Sequence, residues 1–413
     1  MEPTLDLAIA LACFVLAAVM VCIAGVWAYF LAYMSKSFRL APKLGSFDRK
    51  AAAAKRQPRV SIILPARNEE PYVARCLDTL LAQSYPDFEV IAINDGSTDR
   101  TGEIIKEYAV KDKRVVYVDN LPKPEGWAGK NWACHHGYQR ATGEYLFFTD
   151  ADTSHAPDAL PLAVGHMMAE GLDAITAVPK LVCNDFWTRI TLPGLSTFLH
   201  TRFSPLRVND PRQKTGYFFG SFFVITRKTY EAVGTHEGVR QELVEDGALG
   251  AKVKDGGHRM KMVRGEEHID AIWARDLETL WHGLRRLVIP LYHQDRAGAH
   301  LIVAAVFFIM FAPFLFLPYS IGTFALVDGG LSGLAAKVLL GAHLLTIALL
   351  MTATAVQSRL GVFQSPAYAL GSPLSGAIIY LGFASAIIDA RKKGAVNWRG
   401  RQYTVSEKQS FMR

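Results

Sequence analysis

What most limits the folds open to this chain is where its charge is missing. Leu7 to Met34 is a run of 28 residues without one charged side chain. From Leu301 to Ala390 only Asp328, Lys337, Arg359 and Asp389 carry charge. About 20 apolar residues span the hydrocarbon of a bilayer as a helix, so both regions are long enough to cross it. Half of the 413 residues are hydrophobic and 20% are charged, against roughly a quarter charged in soluble domains. A plain cytosolic enzyme is excluded, and so is a disordered chain, which lacks apolar surface to bury. The five cysteines cannot all pair and show no metal spacing. Cys134 and Cys183 lack zinc-site companions. Reduced thiols in a cytoplasmic domain fit better than a disulfide scaffold.

The first apolar run reads as a retained anchor rather than a signal peptide. Glu2 and Asp6 precede it in place of a basic cluster, and it exceeds the length of an h-region. Residues 35 to 59 then carry Lys36, Arg39, Lys43, Arg49, Lys50, Lys55, Arg56 and Arg59 against Asp48 alone. The positive-inside rule places this collar in the cytoplasm, where anionic headgroups attract it. It abuts a membrane run and has no interleaved aromatic platform, so nucleic acid is not an expected partner. Three apolar blocks follow near the C-terminus, at about 301–322, 332–355 and 366–389, bordered or interrupted by Pro313, Pro318, Pro366 and Pro373. Here two rules conflict. Three full crossings would leave the C-terminus outside, yet Arg391, Lys392, Lys393, Arg399 and Arg401 read as cytoplasmic. Either one block is re-entrant or interfacial, its broken backbone satisfied by protein, or the tail lies outside; we favour a cytoplasmic tail. Two further stretches, Asn184 to Leu206 and Asp276 to Ile289, have apolar residues at helical spacing with tryptophan and basic residues, as interfacial helices do. The expected organisation is an anchor at 1–35, a basic linker at 36–58, a catalytic domain at 59–270, an interface helix at 271–296, membrane helices at 297–390 with two or three crossings, and a basic tail at 391–413.

The middle of the chain alternates strand and helix. Val60–Leu64 is a buried strand pattern, and a helix from about Pro71 buries Val73, Cys76, Leu77, Leu80 and Leu81. Val90–Ile93, Val115–Val118 and Tyr145–Thr149 are further strands, with helices marked by Ile104, Ile105 and Tyr108 and by the segment from Lys130. This rhythm predicts right-handed crossovers and a mostly parallel, Rossmann-like α/β sheet, which binds ligands beyond the carboxyl ends of its strands.

Candidate chemistry sits at those ends. Asp150-Ala151-Asp152 follows the Tyr145 strand, and a turn beginning at Asp150 lets both carboxylates converge. Mg²⁺ or Mn²⁺ takes hard oxygen ligands and keeps waters and phosphate oxygens, so the pair suggests a metal–diphosphate site. Asp95, in Asn94–Asp99, is placed to accept hydrogen bonds from a nucleobase or ribose, with Pro65, Ala66, Asn68 and Glu69 as the facing wall. Asp99 suits a helix cap. Gly126-Trp127-Ala128-Gly129-Lys130 is no Walker loop, but Lys130 can meet phosphate oxygens. Trp127 is either a core aromatic or an acceptor-side residue. Asp246, beside Glu245, is either a helix cap or a general base. As a base it would take the proton of a hydroxyl attacking an anomeric carbon, a single displacement with inversion. His135, His136, His155 and His268 form no coherent metal constellation.

Together these pieces resemble membrane-bound glycosyltransferases of family 2 with a GT-A fold, over about residues 58 to 290. The resemblance implies nucleotide recognition by Asp95, a ribose- and metal-proximal Asp150, a metal ligand at Asp152 and a catalytic base at Asp246. The branch most alike is lipid-glycosylating and includes bacterial carotenoid and hopanoid-associated enzymes. Its motifs are matched by Gly126–Lys130, Asp150–His155 and the tail Trp398-Arg399-Gly400-Arg401-Gln402-Tyr403. The polymer-end motif of processive synthases, Q-x-x-R-W, is replaced by Leu280–Arg286, in which Trp281 and Arg285 are candidate acceptor-side residues. The implied activity is transfer of one sugar, from a UDP-hexose above all, to a membrane lipid hydroxyl at the cytoplasmic face of the cell membrane, with Mg²⁺ or Mn²⁺ as cofactor. No protein partner is expected. The alternatives are a polyprenyl-phosphate glycosyltransferase, a processive polysaccharide synthase, and a non-catalytic sugar-binding or transport protein.

Overall fold

The structure is a computed structural model describing residues 3–53, 56–119, 122–392, 395–398 and 401–404. The chain separates into two compact units. One comprises Leu40–Val182, Phe203–Trp273 and Gly394–Arg413; the other comprises Met1–Arg39, Cys183–Arg202 and Ala274–Lys393.

The first unit is built on a seven-stranded sheet. Its strands are β1 (Val60–Ala66), β2 (Phe88–Asn94), β3 (Val115–Asp119), β4 (Tyr145–Phe148), β5 (Ala174–Val178), β6 (Phe223–Thr226) and β7 (Met260–Arg264). They lie in the order β3-β2-β1-β4-β6-β5-β7. All neighbouring pairs are parallel except β4 with β6 and β5 with β6. Alternate residues feed two separate cores. Ile62, Leu64, Phe147 and Val224 face one side; Ile63, Leu146, Phe148, Phe223 and Ile225 face the other. A sheet with both faces apolar is stable only when helices cover both. The helices Val73–Leu81 and Gly129–Arg140 contribute to opposite cores through Leu77 and Leu80 and through Ala133 and Cys134.

The parallel left half matches the sequence reading. The first helix begins at Val73 rather than Pro71, because the carbonyl of Glu69 turns the chain by accepting from Tyr72 and Val73 at 2.9 Å each. Pro65 is tolerated in a central strand because β4 pairs only with Val60–Ile63 of β1. Strands β5, β6 and β7 are not named by the sequence reading. β6 decides the site. Being antiparallel to β4, it pairs Phe223 with Phe148, so the residues just before it arrive where the chain leaves β4. A smaller sheet holds Thr153–His155, Ile269–Ala271 and Lys180–Leu181. In the tail, Ala395–Trp398 pairs antiparallel with Arg401–Thr404; Lys393, Arg399 and Gly400 of the expected basic tail, and Lys55 of the collar, lie outside the described residues.

The second unit is helical. Among the described residues, four segments are long and apolar enough to cross a membrane: Thr4–Leu40, Arg296–Leu315, Gly330–Leu360 and Pro366–Arg391. The first lies within an anchor helix, Pro3–Leu40, that carries on through Lys36 and Arg39. The second segment is broken by a π-turn at Phe307–Phe311 and continues as helices Ala312–Leu315 and Leu317–Leu326. Pro313 and Pro318, which lack the N–H a helix needs, account for the breaks. The two amphipathic stretches form the helices Phe186–Arg202 and Leu277–Gln294, the latter opened by an Asp276 capping box with Thr279.

Two histidines are sealed inside the sheet unit. Burial drives the imidazole of His155 down to about 4 and that of His236 down to about 3. Both stay neutral when folded, whereas unfolded chains take up those protons near pH 6.5. The stability these two rings contribute is therefore complete above that value and falls as pH drops, by up to about 1.4 kcal/mol per unit for each ring, with the raised carboxyl of Asp246 offsetting about one ring's share. The melting temperature of the detergent-solubilised chain is expected to fall steadily from pH 6.5 to pH 4.5, before most carboxylates titrate. A flat profile over that window would contradict the burial of these rings.

Candidate active site

The site is assembled where β1, β2 and β4 end and β6 begins. After β4, Thr153 N–H donates to the Asp150 carbonyl at 3.3 Å, so Asp150, Ala151 and Asp152 form the turn expected of them. Asp150 and Glu245 are held by one cation. Lys130 Nζ lies 2.6 Å from Asp150 Oδ1 and 2.6 Å from Glu245 Oε1. Asp246 stands beside them in the first turn of the helix Glu245–Asp255. Its Oδ1 accepts from Gly247 N–H at 2.8 Å and its Oδ2 from Gly220 N–H at 2.7 Å. A methyl group on Gly220 would fall 2.8 Å from Asp246 Oδ2, 3.0 Å from Lys130 Nζ and 3.2 Å from Asp150 Oδ2. Three separated segments thus meet at one hydrogen atom's width.

The electrostatics follow from this crowding. Burial works against the charge of Lys130, but Asp150, Glu245 and Asp246 outweigh it and hold the ammonium well above its usual range. About a third of the side chain still reaches solvent. For Asp246, burial first and the neighbouring Glu245 second push the carboxyl up to about 7, with Lys130 pulling the other way. Such a group sits where a general base works best. Under the cluster lies the buried thiol of Cys134. Burial pushes it well up, Lys130 opposes that, and Glu245, Asp150 and Asp95 add to it. Glu245, Asp150 and Asp95 thus all act on this one thiol.

The nucleotide-side residues form a stapled pair of loops. Ala66 and Asn94 are register partners at the ends of β1 and β2, as are Pro65 and Ile93. Asp95, only 4% exposed, donates its N–H to the Ala66 carbonyl at 2.8 Å. Arg67 Nη1 donates to the Asp95 and Gly96 carbonyls at 2.6 and 2.8 Å. Asn68, at φ 53°, accepts from Thr98 N–H at 2.9 Å. The buried Glu69 donates its N–H to Thr101 Oγ1, and Asp99 accepts from Thr101 N–H at 3.0 Å, at the entry of the next helix.

Trp127 is half-buried in an aromatic group, its ring 5.2 Å from Trp132 and 5.1 Å from His135. His155 lies behind the acidic turn, its Nε2 3.2 Å from Thr149 Oγ1 and its ring against Phe147. Trp281 and Arg285 belong to the helical unit, on Leu277–Gln294, where Arg285 is ion-paired with Asp389.

Two further residues shape the site. Gly220 is one, hidden in the aromatic run Tyr217–Phe223. The other is Asn131, fully buried, whose Nδ2 donates to the carbonyls of Val239 at 2.6 Å and Glu242 at 3.0 Å. Ala128 N–H adds a bond to the Arg240 carbonyl at 2.6 Å. These bonds lock the segment leading to Glu245 onto the helix that carries Lys130. In the sequence, the only hint of Asn131 is a short polar residue directly after Lys130 on the inward face of a helix.

Among the described residues no three His, Cys, Asp or Glu side chains gather as a complete metal cage. The donor set nevertheless suits a hard divalent cation. Asp150 and Asp152 give carboxylate oxygens from one turn, and such ions commonly take their remaining ligands from water and phosphate.

The architecture is that of a GT-A glycosyltransferase. It superimposes on a mannosyltransferase of Pyrobaculum calidifontis, solved with GDP-Man and Mn²⁺, with a TM-score of 0.51 and 19% identity over 90% of this chain and 99% of that one. Residues 61–234 match the family model Glycosyl transferase family 2, so the chain carries a glycosyltransferase family 2 domain. Similar curated proteins include the 4,4'-diaponeurosporenoate glycosyltransferases of Staphylococcus aureus. That of strain RF122 / ET3-1 is 25% identical over 85% of this chain and 89% of its own length. That of strain MRSA252 is 25% identical over 91% and 94%.

The close approach at Gly220 yields a sharp test. Its neighbours are the tips of side chains, so Gly220→Ala should displace them while leaving the backbone in place. We expect sugar transfer to fall by about 100-fold, the cost of a roughly 1 Å misplacement, with the melting temperature within about 3 °C of the parent. Unimpaired transfer would show that Asp246, Lys130 and Asp150 do not act together.

Proposed function

We propose that this protein is an inverting, metal-dependent glycosyltransferase that moves one sugar from a nucleotide-sugar, a UDP-hexose above all, to a membrane lipid at the cytoplasmic face of the cell membrane. The observation that carries the reading is the single cluster of Lys130, Asp150, Glu245 and Asp246 around Gly220, inside a family 2 domain.

In this reading Asp95 accepts hydrogen bonds from the base, with Pro65, Ala66, Asn68 and Glu69 as its wall. Lys130 leaves Asp150 to meet the diphosphate oxygens while staying paired with Glu245. Asp150 and Asp152 would hold a Mg²⁺ or Mn²⁺, which when bound balances the charge of the departing nucleoside diphosphate. Asp246 takes the acceptor's proton. Its carboxylate is already aimed by the two backbone N–H groups of Gly220 and Gly247, so no reorganisation is needed when the proton moves. Glu245 holds Lys130 in place, and Trp127 lines the acceptor side.

The acceptor has two forms worth separating. A hydroxyl must lose a proton as the new bond forms and needs Asp246. The named relatives act on a carotenoid acid, and a carboxylate acceptor is already deprotonated. That favours, as a second reading, ester formation in which Asp246 only orients the acceptor.

Lipid extracts incubated with the purified enzyme and a panel of nucleotide-sugars, read by mass spectrometry, should show one new glycolipid carrying a single hexose. A ladder of added sugars would instead indicate a processive synthase, and a polyprenyl-phosphate sugar the other transferase reading. Alkali-labile product marks the ester. Asp152→Asn should abolish metal-dependent donor turnover. Asp246→Asn should retain donor binding and lose transfer to a hydroxyl by roughly 10²–10⁴-fold, while sparing a carboxylate acceptor. Full transfer to a hydroxyl by Asp246→Asn would remove it as the base.

A further inference from the structure

Hydrogen bonds inside the helical unit fix the depth of each helix relative to the anchor, and they distinguish the four candidate spans. At one end, Asp6 accepts from the hydroxyl and N–H of Ser332. Deeper in, Thr346 Oγ1 donates to the Met20 carbonyl at 2.8 Å. Met20 lies fourteen residues beyond Asp6, and Thr346 fourteen beyond Ser332. The long helix Gly330–Leu360 therefore runs parallel to the anchor in constant register. The same register brings Leu360 to the depth of Met34, the last residue of the uncharged run. Trp27 Nε1 donates to the Ile309 carbonyl at 2.9 Å, and Gly330 lies against Asp6. Residues 309 to 330 thus travel from the depth of Trp27 to that of Asp6, opposite to the anchor.

The C-terminal helix, Ser372–Lys392, behaves differently. Gly376 lies so close to the backbone of Met310 that a Cβ would come within 2.5 Å of its carbonyl. The Tyr380 ring is 5.1 Å from Phe307, and Arg391 Nη2 donates to His300 Nε2 at 2.6 Å. Numbers rise along one helix as they fall along the other. The C-terminal helix is therefore antiparallel to Arg296–Phe311 and runs in the same sense as the anchor. It starts near the depth of Trp27, only about 10 Å short of Met34 at 1.5 Å per residue, and heads toward the basic end. From Gly376 to Arg391 it uses about 22 Å of its own axis to cover about 15 Å of its neighbour's. Starting at that depth and running toward the basic end, it does not reach the other boundary.

Charge agrees independently. At the basic end Arg285, Arg286, Arg296, Arg359 and Arg391 outnumber Glu278, Asp295 and Asp389, whereas the opposite end holds Asp6 and Asp328 against Lys337. The irregular backbone between the last two helices is held by protein, as backbone at membrane depth must be. Gln364 Nε2 donates to the Arg189 carbonyl at 2.7 Å, and Arg189 Nη1 to Tyr368 Oη at 2.9 Å. One narrow face of the C-terminal helix stays uncovered. Leu374, Leu381 and Ile388, seven residues apart, are 49%, 51% and 51% exposed.

We propose that the C-terminal helix is a re-entrant element that dips into the bilayer from the basic side. It presents Leu374, Leu381 and Ile388 to the acyl chains of that leaflet and returns the tail to the side on which the anchor helix ends. The chain then crosses three times, not four.

Single cysteines in the full-length chain test this with a membrane-impermeant maleimide-PEG, read as mass shift over the parent's own background. Val110→Cys marks the sheet unit (its side is 87% exposed), Asp328→Cys the acidic end and Ser410→Cys the tail. Ser410→Cys should label together with Val110→Cys, only in opened cells, while Asp328→Cys labels in intact ones. A tail that labels together with Asp328→Cys, or all three labelling together, overturns the proposal. If Val110→Cys and Ser410→Cys both label in intact cells and Asp328→Cys does not, the re-entrant helix stands and the cytoplasmic placement of catalysis fails. A fluorescent protein fused after Arg413 gives a second reading: fluorescence in a bacterial host is expected, and its loss together with activity of an alkaline phosphatase fused at the same point would overturn the proposal.

Discussion

One ammonium holds this site together. Asp150 and the adjacent pair Glu245–Asp246 come from distant parts of the chain and meet at the carboxyl edge of a hydrophobic sheet, where their mutual repulsion is poorly screened. Lys130 bridges two of them directly and lowers the proton affinity of the third. Without it the carboxylates would move apart or take up protons, and neither outcome preserves the arrangement. Its position in turn depends on Asn131, which ties its helix to the segment ahead of Glu245. It also depends on Gly220, whose missing side chain leaves the only space in which the three charged tips can meet.

In the proposed reading, the cation that organises this cluster is also the partner of the anionic donor. A diphosphate would draw Lys130 from Asp150, freeing that carboxylate for a metal and leaving Glu245 to steady the ammonium.

In the helical unit, single polar contacts set the register that hydrophobic packing alone leaves loose. Lipid tails are as apolar as leucine, so helices in a bilayer gain little by burying leucines against each other. Asp6 with Ser332, Met20 with Thr346, and Trp27 with Ile309 supply the missing directionality. They define depth as a ruler would, and the last helix is read against them.

The legible part of this protein was whatever depends on neighbours in sequence. The uncharged runs, the alternating strand and helix pattern, the turn at Asp150-Ala151-Asp152 and the basic collar all follow from composition and short-range periodicity. Those features were enough to give the parallel half of the sheet and to place most of the acidic candidates at its edge. The antiparallel strand Phe223–Thr226 was not legible, because a short apolar run among aromatics has no period of its own. With it went Gly220, which looks like an ordinary glycine until a second chain segment approaches it. Charge counting likewise exposed a conflict about the C-terminal blocks without saying which one departs from a full crossing. The proposed answer comes from tertiary structure alone, because helix direction is fixed by contacts between residues far apart in the chain, from 66 positions for Gly376 with Met310 to 326 for Asp6 with Ser332, and no local pattern encodes them.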